Sequence, residues 1–316
     1  MILNIILIVV GVALVLWGAD RMTDGAVAIA QRLNIPPIVI GLTIVAMGTS
    51  MPEFCVSLVS ALKGTPDLAI GNVVGSNIMN VLMIVGIAAM VAPMVISKST
   101  VKKDIPWAVV ASILLGVFCL DKSLSRLEAI VLFVLFIGFL SYTIWNARRG
   151  KATPTDDEKA KNYGPWTAVG LVILGLACLI VGSNLFVDSA TAVAQKLGVS
   201  EAVIGLTIVA GGTSLPELAT SVVAARKGQS AIAIGNVIGS NVFNILMILG
   251  ITGLICPMQM NGITPVDLAM MVVSIAMLWF FSYTKFTVER WEGAVFVCIL
   301  CGYMGWLISN ASVATA

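Results

Sequence analysis

Long apolar runs dominate the chain, broken by short clusters of charged and turn-forming residues and not by the alternation of soluble helices and strands. A membrane crossing needs about 20 apolar residues. The runs separate into ten segments, near 2–33, 36–62, 68–93, 104–120, 125–147, 165–196, 200–225, 231–256, 265–284 and 291–309. The pattern predicts an all-α integral membrane protein with ten transmembrane helices. One long polar stretch, 148–164, carries Arg148, Arg149, Lys151, Asp156, Asp157, Glu158, Lys159 and Lys161 and reads as a linker between halves 1–147 and 165–316.

The two halves repeat one another. At a constant offset of 164, Gly41–Gly86 and Gly205–Gly250 are identical at about 29 of 46 positions, which marks a duplication. Five crossings per copy is an odd number, so the second copy enters the membrane with opposite orientation. This is the inverted-repeat plan of many secondary transporters. Basic residues orient it: with the N-terminus outside, thirteen Lys and Arg fall in cytoplasmic connections, including the linker, and only Lys63, Lys122, Arg126 and Lys196 fall outside. The positive-inside rule therefore places both termini extracytoplasmic and the linker in the cytoplasm. Met1–Gly18 has no basic leader or small-residue cleavage site and is read as a retained span in a multi-pass cell-membrane protein.

Composition narrows the chemistry. The chain is 59% hydrophobic and 11% charged, with a net charge of +2 that gives no reason to expect nucleic acid. Histidine is absent, which removes the commonest general base and transition-metal ligand. The six cysteines lie in apolar stretches and are expected as buried small hydrophobes without disulfides. The tryptophans fall mostly near span ends, where aromatic-belt anchoring accounts for them.

Each repeat places a glutamate inside an apolar helix, in Gly48-Thr49-Ser50-Met51-Pro52-Glu53 and Gly212-Thr213-Ser214-Leu215-Pro216-Glu217. Such acids are costly in hydrocarbon and mark functional sites. Thr49, Ser50 and Glu53 share one helix face, as do Thr213, Ser214 and Glu217. Pro52 and Pro216 lack an N–H, so they free the carbonyls of Gly48 and Gly212 and break the helix there. In the next span, Gly71-Asn72-Val73-Val74-Gly75-Ser76-Asn77-Ile78-Met79-Asn80 is matched by Gly235-Asn236-Val237-Ile238-Gly239-Ser240-Asn241-Val242-Phe243-Asn244. Ser76 with Asn80, and Ser240 with Asn244, present a hydroxyl and an amide oxygen on one side. Spans 2, 3, 7 and 8 are expected as broken helices meeting near mid-bilayer. Two carboxylates plus neutral oxygens make a hard-cation site suited to calcium, and the same ligands divide readily among sodium ions.

The paired G-T-S-x-P-E and G-N-x-x-G-S-N-x-x-N motifs resemble the two α-repeats of the sodium/calcium exchanger family. That resemblance implies alternating access, with sodium driving calcium out. It also implies that Glu53 and Glu217 are carboxylates shared by calcium and sodium. Thr49, Thr213, Ser50, Ser214, Ser76, Ser240, Asn80 and the backbone carbonyls of Ala46 and Ala210 would complete the shells. Several relatives carry aspartate where this chain has Asn244, and in the potassium-dependent branch that acid is linked to potassium. The amide here argues for potassium independence. On this reading calcium and sodium are cargo, the lipid bilayer is the solvent, and neither a resident cofactor nor an obligate protein partner is expected.

Other readings carry less. A proton/calcium exchanger of the same fold would typically show a G-N-x-x-E pattern, absent around both acids. An intramembrane Ser/Glu hydrolase lacks a histidine base and a reason for inverted duplication, so the chain is not read as an enzyme. A passive channel has no need of paired acids on broken helices. Ser57, Ser221, Asn72, Asn77, Asn236 and Asn241 are read as interhelical hydrogen-bonders. Asp20, Arg21 and Asp24 read as an ion pair reaching a membrane face, with Asp188 in the matching place.

Overall fold

A backbone in hydrocarbon must satisfy its own hydrogen bonds, so apolar runs of this length become helices. The computed structural model describes residues 1–149, 163–197, 210–260 and 262–314. The first half comprises α1 (Ile2–Leu33), α2 (Pro37–Thr49), α3 (Met51–Leu62), α4 (Pro66–Val91), α5 (Thr100–Asp121) and α6 (Arg126–Arg149). The second comprises α7 (Pro165–Lys196), α8 (Ala210–Thr213), α9 (Leu215–Arg226), α10 (Ser230–Ile255), α11 (Pro265–Lys285) and α12 (Arg290–Ala314). Among the described residues eight helices are long and apolar enough to cross a membrane, and the bent pair α2–α3 makes a ninth. The tenth expected crossing is represented by α8 and α9. Its first part, with Gly205–Val209 of the second motif copy, lies outside the described residues, as does most of the linker.

Two short ribbons display the inversion. β1 (Met94–Val95) pairs antiparallel with β4 (Thr287–Val288), joining the connection after the third crossing to that after the ninth. β2 (Ser123–Leu124) pairs with β3 (Met258–Gln259), joining the connection after the fourth to that after the eighth. β1 and β3 are 164 residues apart, as are β2 and β4, so each ribbon is the other's mate on the opposite face. The backbone repeats in detail: Lys122 and Phe286 are both left-handed, at φ 60° and 55°. Gly64 and Gly228 turn at φ 75° and 77°, a conformation that glycine reaches without strain.

The core is built on α4 and α10, with 72% and 78% of their apolar windows buried, against 22–28% for α1, α6, α7 and α12. The outer four are therefore the lipid-facing helices. Lipid accepts apolar side chains, which corrects the expectation for the cysteines: Cys119 is buried, but Cys55, Cys298 and Cys301 are exposed. Trp107 packs against Phe139 and Tyr142, and the other six tryptophans are exposed, as membrane anchoring requires.

α1 and α7 cross through small residues at seven-residue spacing, Gly11 against Gly182 and Gly18 against Gly175. A Cβ on Gly175 would stand 2.6 Å from the Gly18 carbonyl oxygen. Because that neighbour is backbone, Gly175→Val must separate the helices. It is expected to destabilise the protein by ~1–3 kcal/mol, read as a lowered midpoint of thermal unfolding in detergent. Gly170→Val, on the exposed side with nothing within 4 Å, should leave the midpoint unchanged.

The polar residues near the end of α1 form the expected cluster. Arg21 reaches Asp20 at 3.2 Å, while Lys227 reaches Asp20 at 2.7 Å and Asp24 at 2.6 Å, fixing the α9–α10 turn to α1. The pairing is one-sided, since Asp188 and Lys63, the mates of Asp24 and Lys227, are exposed and form no ion pair among the described residues. The Arg32 guanidinium donates to the Tyr163 carbonyl at 2.6 and 2.8 Å, holding the last residues before α7 beside α1.

Candidate ion-binding site

The break between α2 and α3 falls at Ser50, whose ψ of 7° leaves the helical range, and the two pieces meet at 47°. Pro52 then sits in the first turn of α3, where its missing N–H costs nothing. The second repeat breaks the same way at Ser214, with ψ 4° and Pro216 in the first turn of α9. Spans 3 and 8 differ from expectation in form. α4 and α10 run unsevered, each carrying a π-helical turn, Asn80–Val85 in one and Phe243–Ile248 in the other. Glycine alone does not interrupt a helix packed on all sides. The wider turn instead sets Asn80 and Asn244 at a displaced register, a common device at functional sites.

These four elements bring the two acids together. Glu53 and Glu217 are each 1% exposed. The Ser50 hydroxyl, one turn before Glu53, donates to Glu217 Oε1 at 3.0 Å, so Glu217 lies against the first repeat. The neutral groups follow the same crosswise rule. Asn80 Nδ2 donates to Asn241 Oδ1 at 3.0 Å, and Asn244 Nδ2 donates to Ser76 Oγ at 3.0 Å. With the amide nitrogens so engaged, both amide oxygens face away from donors.

The remaining acceptors are the chemical signature. Glu53 Oε1 and Oε2, Glu217 Oε2, Asn80 Oδ1 and Asn244 Oδ1 are buried without a hydrogen-bond partner, as are the hydroxyls of Ser214 and Ser240. An unsatisfied buried polar group costs ~1–3 kcal/mol, and more when charged. Oxygens of this kind, three of them from two carboxylates, suit a hard cation. Among the described residues no three His, Cys, Asp or Glu side chains converge, as expected where most ligands are neutral.

Other candidates take more qualified places. Thr49 is fully buried and Thr213 closes α8. The Ala46 carbonyl accepts the Ser50 N–H at 3.0 Å and has the Thr49 hydroxyl at 3.3 Å, and Ala210 opens α8. Ser76 donates to the Val73 carbonyl at 3.1 Å while accepting from Asn244, so it keeps one lone pair. The Gly212 carbonyl, expected free, is taken by the Ser183 hydroxyl of α7 at 2.6 Å. Ser183 gave no signal in the sequence because its mate in the first repeat is Ala19.

Two inverted repeats, each bringing a broken helix with a buried acid to a common oxygen-lined centre, define a secondary membrane transporter. The family model described as sodium/calcium exchanger protein matches residues 3–145 and 167–309, and the chain belongs to that family. It is a membrane antiporter and not an enzyme. It is 39% identical to the putative antiporter CaxA of Alkalimonas amylolytica, over 98% of this chain and all of the relative. It is 33% identical to the sodium/calcium exchanger MaX1 of Methanosarcina acetivorans, over 95% and 97%. Among solved structures, the sodium-calcium exchanger NCX_Mj soaked with Na+ and Ca2+ superposes with a TM-score of 0.84 at 32% identity, covering 99% of each chain.

Proposed function

We propose that the protein exchanges sodium for calcium by alternating access, is electrogenic and does not need potassium. The observation that carries this reading is the set of buried, donor-free oxygens around Glu53 and Glu217. An empty site holds two negative charges that resist enclosure in a low-dielectric interior. One calcium or several sodium ions cancel them, so a loaded site can pass between inward- and outward-facing states while an empty one is held back. Coupling then follows from competition for the same carboxylates. Glu53, Glu217, Ser214, Ser240, Asn80 and Asn244 offer the freest oxygens. Ser50, Thr49, Thr213, Ser76 and the carbonyls of Ala46 and Ala210 complete the set we assign to the ions. Asn244, an amide, leaves the pair of acids without a third negative charge for potassium.

The test is flux in proteoliposomes. An outward sodium gradient should drive calcium uptake, and adding potassium should change nothing. Uptake that follows a pH gradient and ignores sodium would instead favour a proton/calcium exchanger, and a potassium requirement would overturn the inference from Asn244. We further propose a prokaryotic plasma membrane with both termini extracytoplasmic, from the excess of basic residues in the other connections. A C-terminal alkaline phosphatase fusion should then be active, and an inactive fusion with an active cytoplasmic reporter at the same point would reverse the orientation.

A further inference from the structure

We infer that Asn72 and Asn236 are positioning residues for the ion site, bracing the acid-bearing turns, and that Asn236 also turns the Thr49 hydroxyl so that its lone pairs face the ion. The inference rests on the ion-site reading above and adds to it two residues that do not touch cargo. Asn72 Nδ2 donates to the main-chain carbonyl of Glu53 at 3.0 Å and to Ser57 Oγ at 2.9 Å. Asn236 Nδ2 repeats this in the second copy, to the carbonyl of Glu217 at 3.3 Å and to Ser221 Oγ at 3.0 Å. In each repeat both amide protons are thus spent on the neighbouring helix, one of them at the residue carrying the carboxylate. The angle between α3 and α4, and between α9 and α10, is thereby set at the level of the acids.

Asn236 does more than brace its own repeat. Its Oδ1 accepts the Thr49 hydroxyl at 3.1 Å, across the interface between repeats, and Asn236 is fully buried. A hydroxyl has one proton and two lone pairs. Thr49 has two other acceptors in reach, the Ala46 carbonyl at 3.3 Å and the Glu217 carboxylate, and only with its proton on Asn236 does it keep its lone pairs for the ion. With its proton held there, Thr49 meets a cation as an oxygen ligand and not as an opposing dipole. The double task explains the residue type. Aspartate has no donors for the carbonyl and Ser221 and would add a charge, while leucine offers neither donor nor acceptor.

If these amides were only interhelical fasteners, each would contribute modestly to folding and leave ion affinity alone. Partners that orient ligands typically change affinity 10–100-fold when removed. The experiment is calcium titration of the purified full-length protein, with ion-free thermal unfolding measured alongside, for Asn236→Ala, Thr49→Val and the double variant. Asn236→Ala is expected to weaken calcium binding ~10–100-fold with little change in ion-free stability. In the Thr49→Val background, where the hydroxyl is gone, the further loss should shrink several-fold. Should Asn236→Ala fail to fold, Asn236→Ser, which keeps a donor, takes its place. Unchanged affinity in a folded Asn236 variant, while Glu53→Gln abolishes binding, would overturn the positioning role and leave the ion site standing. Losses that simply multiply in the double variant would overturn the role assigned through Thr49. Binding that survives Glu53→Gln and Glu217→Gln would remove the ion site itself.

Discussion

Glu53→Gln should abolish sodium-driven calcium uptake, with calcium affinity falling ~100-fold or more, because a unit charge in contact with a divalent ion is worth several kcal/mol even at an effective dielectric near 20. The substitution is nearly isosteric, and neither carboxylate oxygen of Glu53 has a hydrogen-bond partner, so folding should survive. Ion-free stability is expected to rise, since removing one of two buried acids that repel each other relieves a native-state cost. Stabilisation by added calcium, which grows with the logarithm of ligand over Kd, should disappear. Glu217→Gln should behave alike, with the Ser50 hydroxyl still able to donate to the amide oxygen. Thermal unfolding with and without calcium, beside radioactive calcium flux, checks both halves. A Glu53→Gln protein that unfolds earlier without ions but transports normally would mean that the acid is structural.

Membrane voltage should bias the exchange strongly. If three sodium ions replace one calcium, as the family resemblance implies, each cycle moves one net charge, worth about 2.3 kcal/mol per 100 mV. That corresponds to a shift of ~50-fold in the equilibrium calcium ratio for each 100 mV. The measurement is the final calcium distribution across proteoliposomes at fixed sodium gradient, with potential imposed by a potassium gradient and valinomycin. No shift would mean two sodium ions per calcium, an electroneutral cycle in which the site's two charges are simply matched.

Much of this was legible in the residues because duplication leaves two copies to compare. The acids at 53 and 217, the prolines before them and the Ser and Asn one span later stand out by recurrence, and the odd number of crossings gives the inversion without coordinates. The Ser50–Glu217 and Asn244–Ser76 contacts cross between the repeats, but the hydroxyls of their mates Ser214 and Ser240 have no partner among the described residues, so pattern alone does not say which oxygen meets which. Three features were hidden for physical reasons. Ribbons of two residues per strand are too short to leave a period. The continuity of α4 and α10 depends on burial, which keeps the glycine-rich stretches α-helical and leaves the π-helical turns to follow at their ends. The Ser183 bond to the Gly212 carbonyl is asymmetric, so comparing repeats cannot reveal it. Asn72 and Asn236 were visible as a repeated Gly-Asn pair and read as fasteners; only their bonds to the glutamate carbonyls and to Thr49 distinguish them.

The most direct measurement is an anomalous difference map from crystals soaked in calcium. A single strong peak between the side chains of Glu53 and Glu217, about 2.3–2.6 Å from oxygens of both, is the expected result. A peak bound to one acid alone, or placed elsewhere with these two carboxylates unoccupied at saturating calcium, would contradict a site shared by the two repeats.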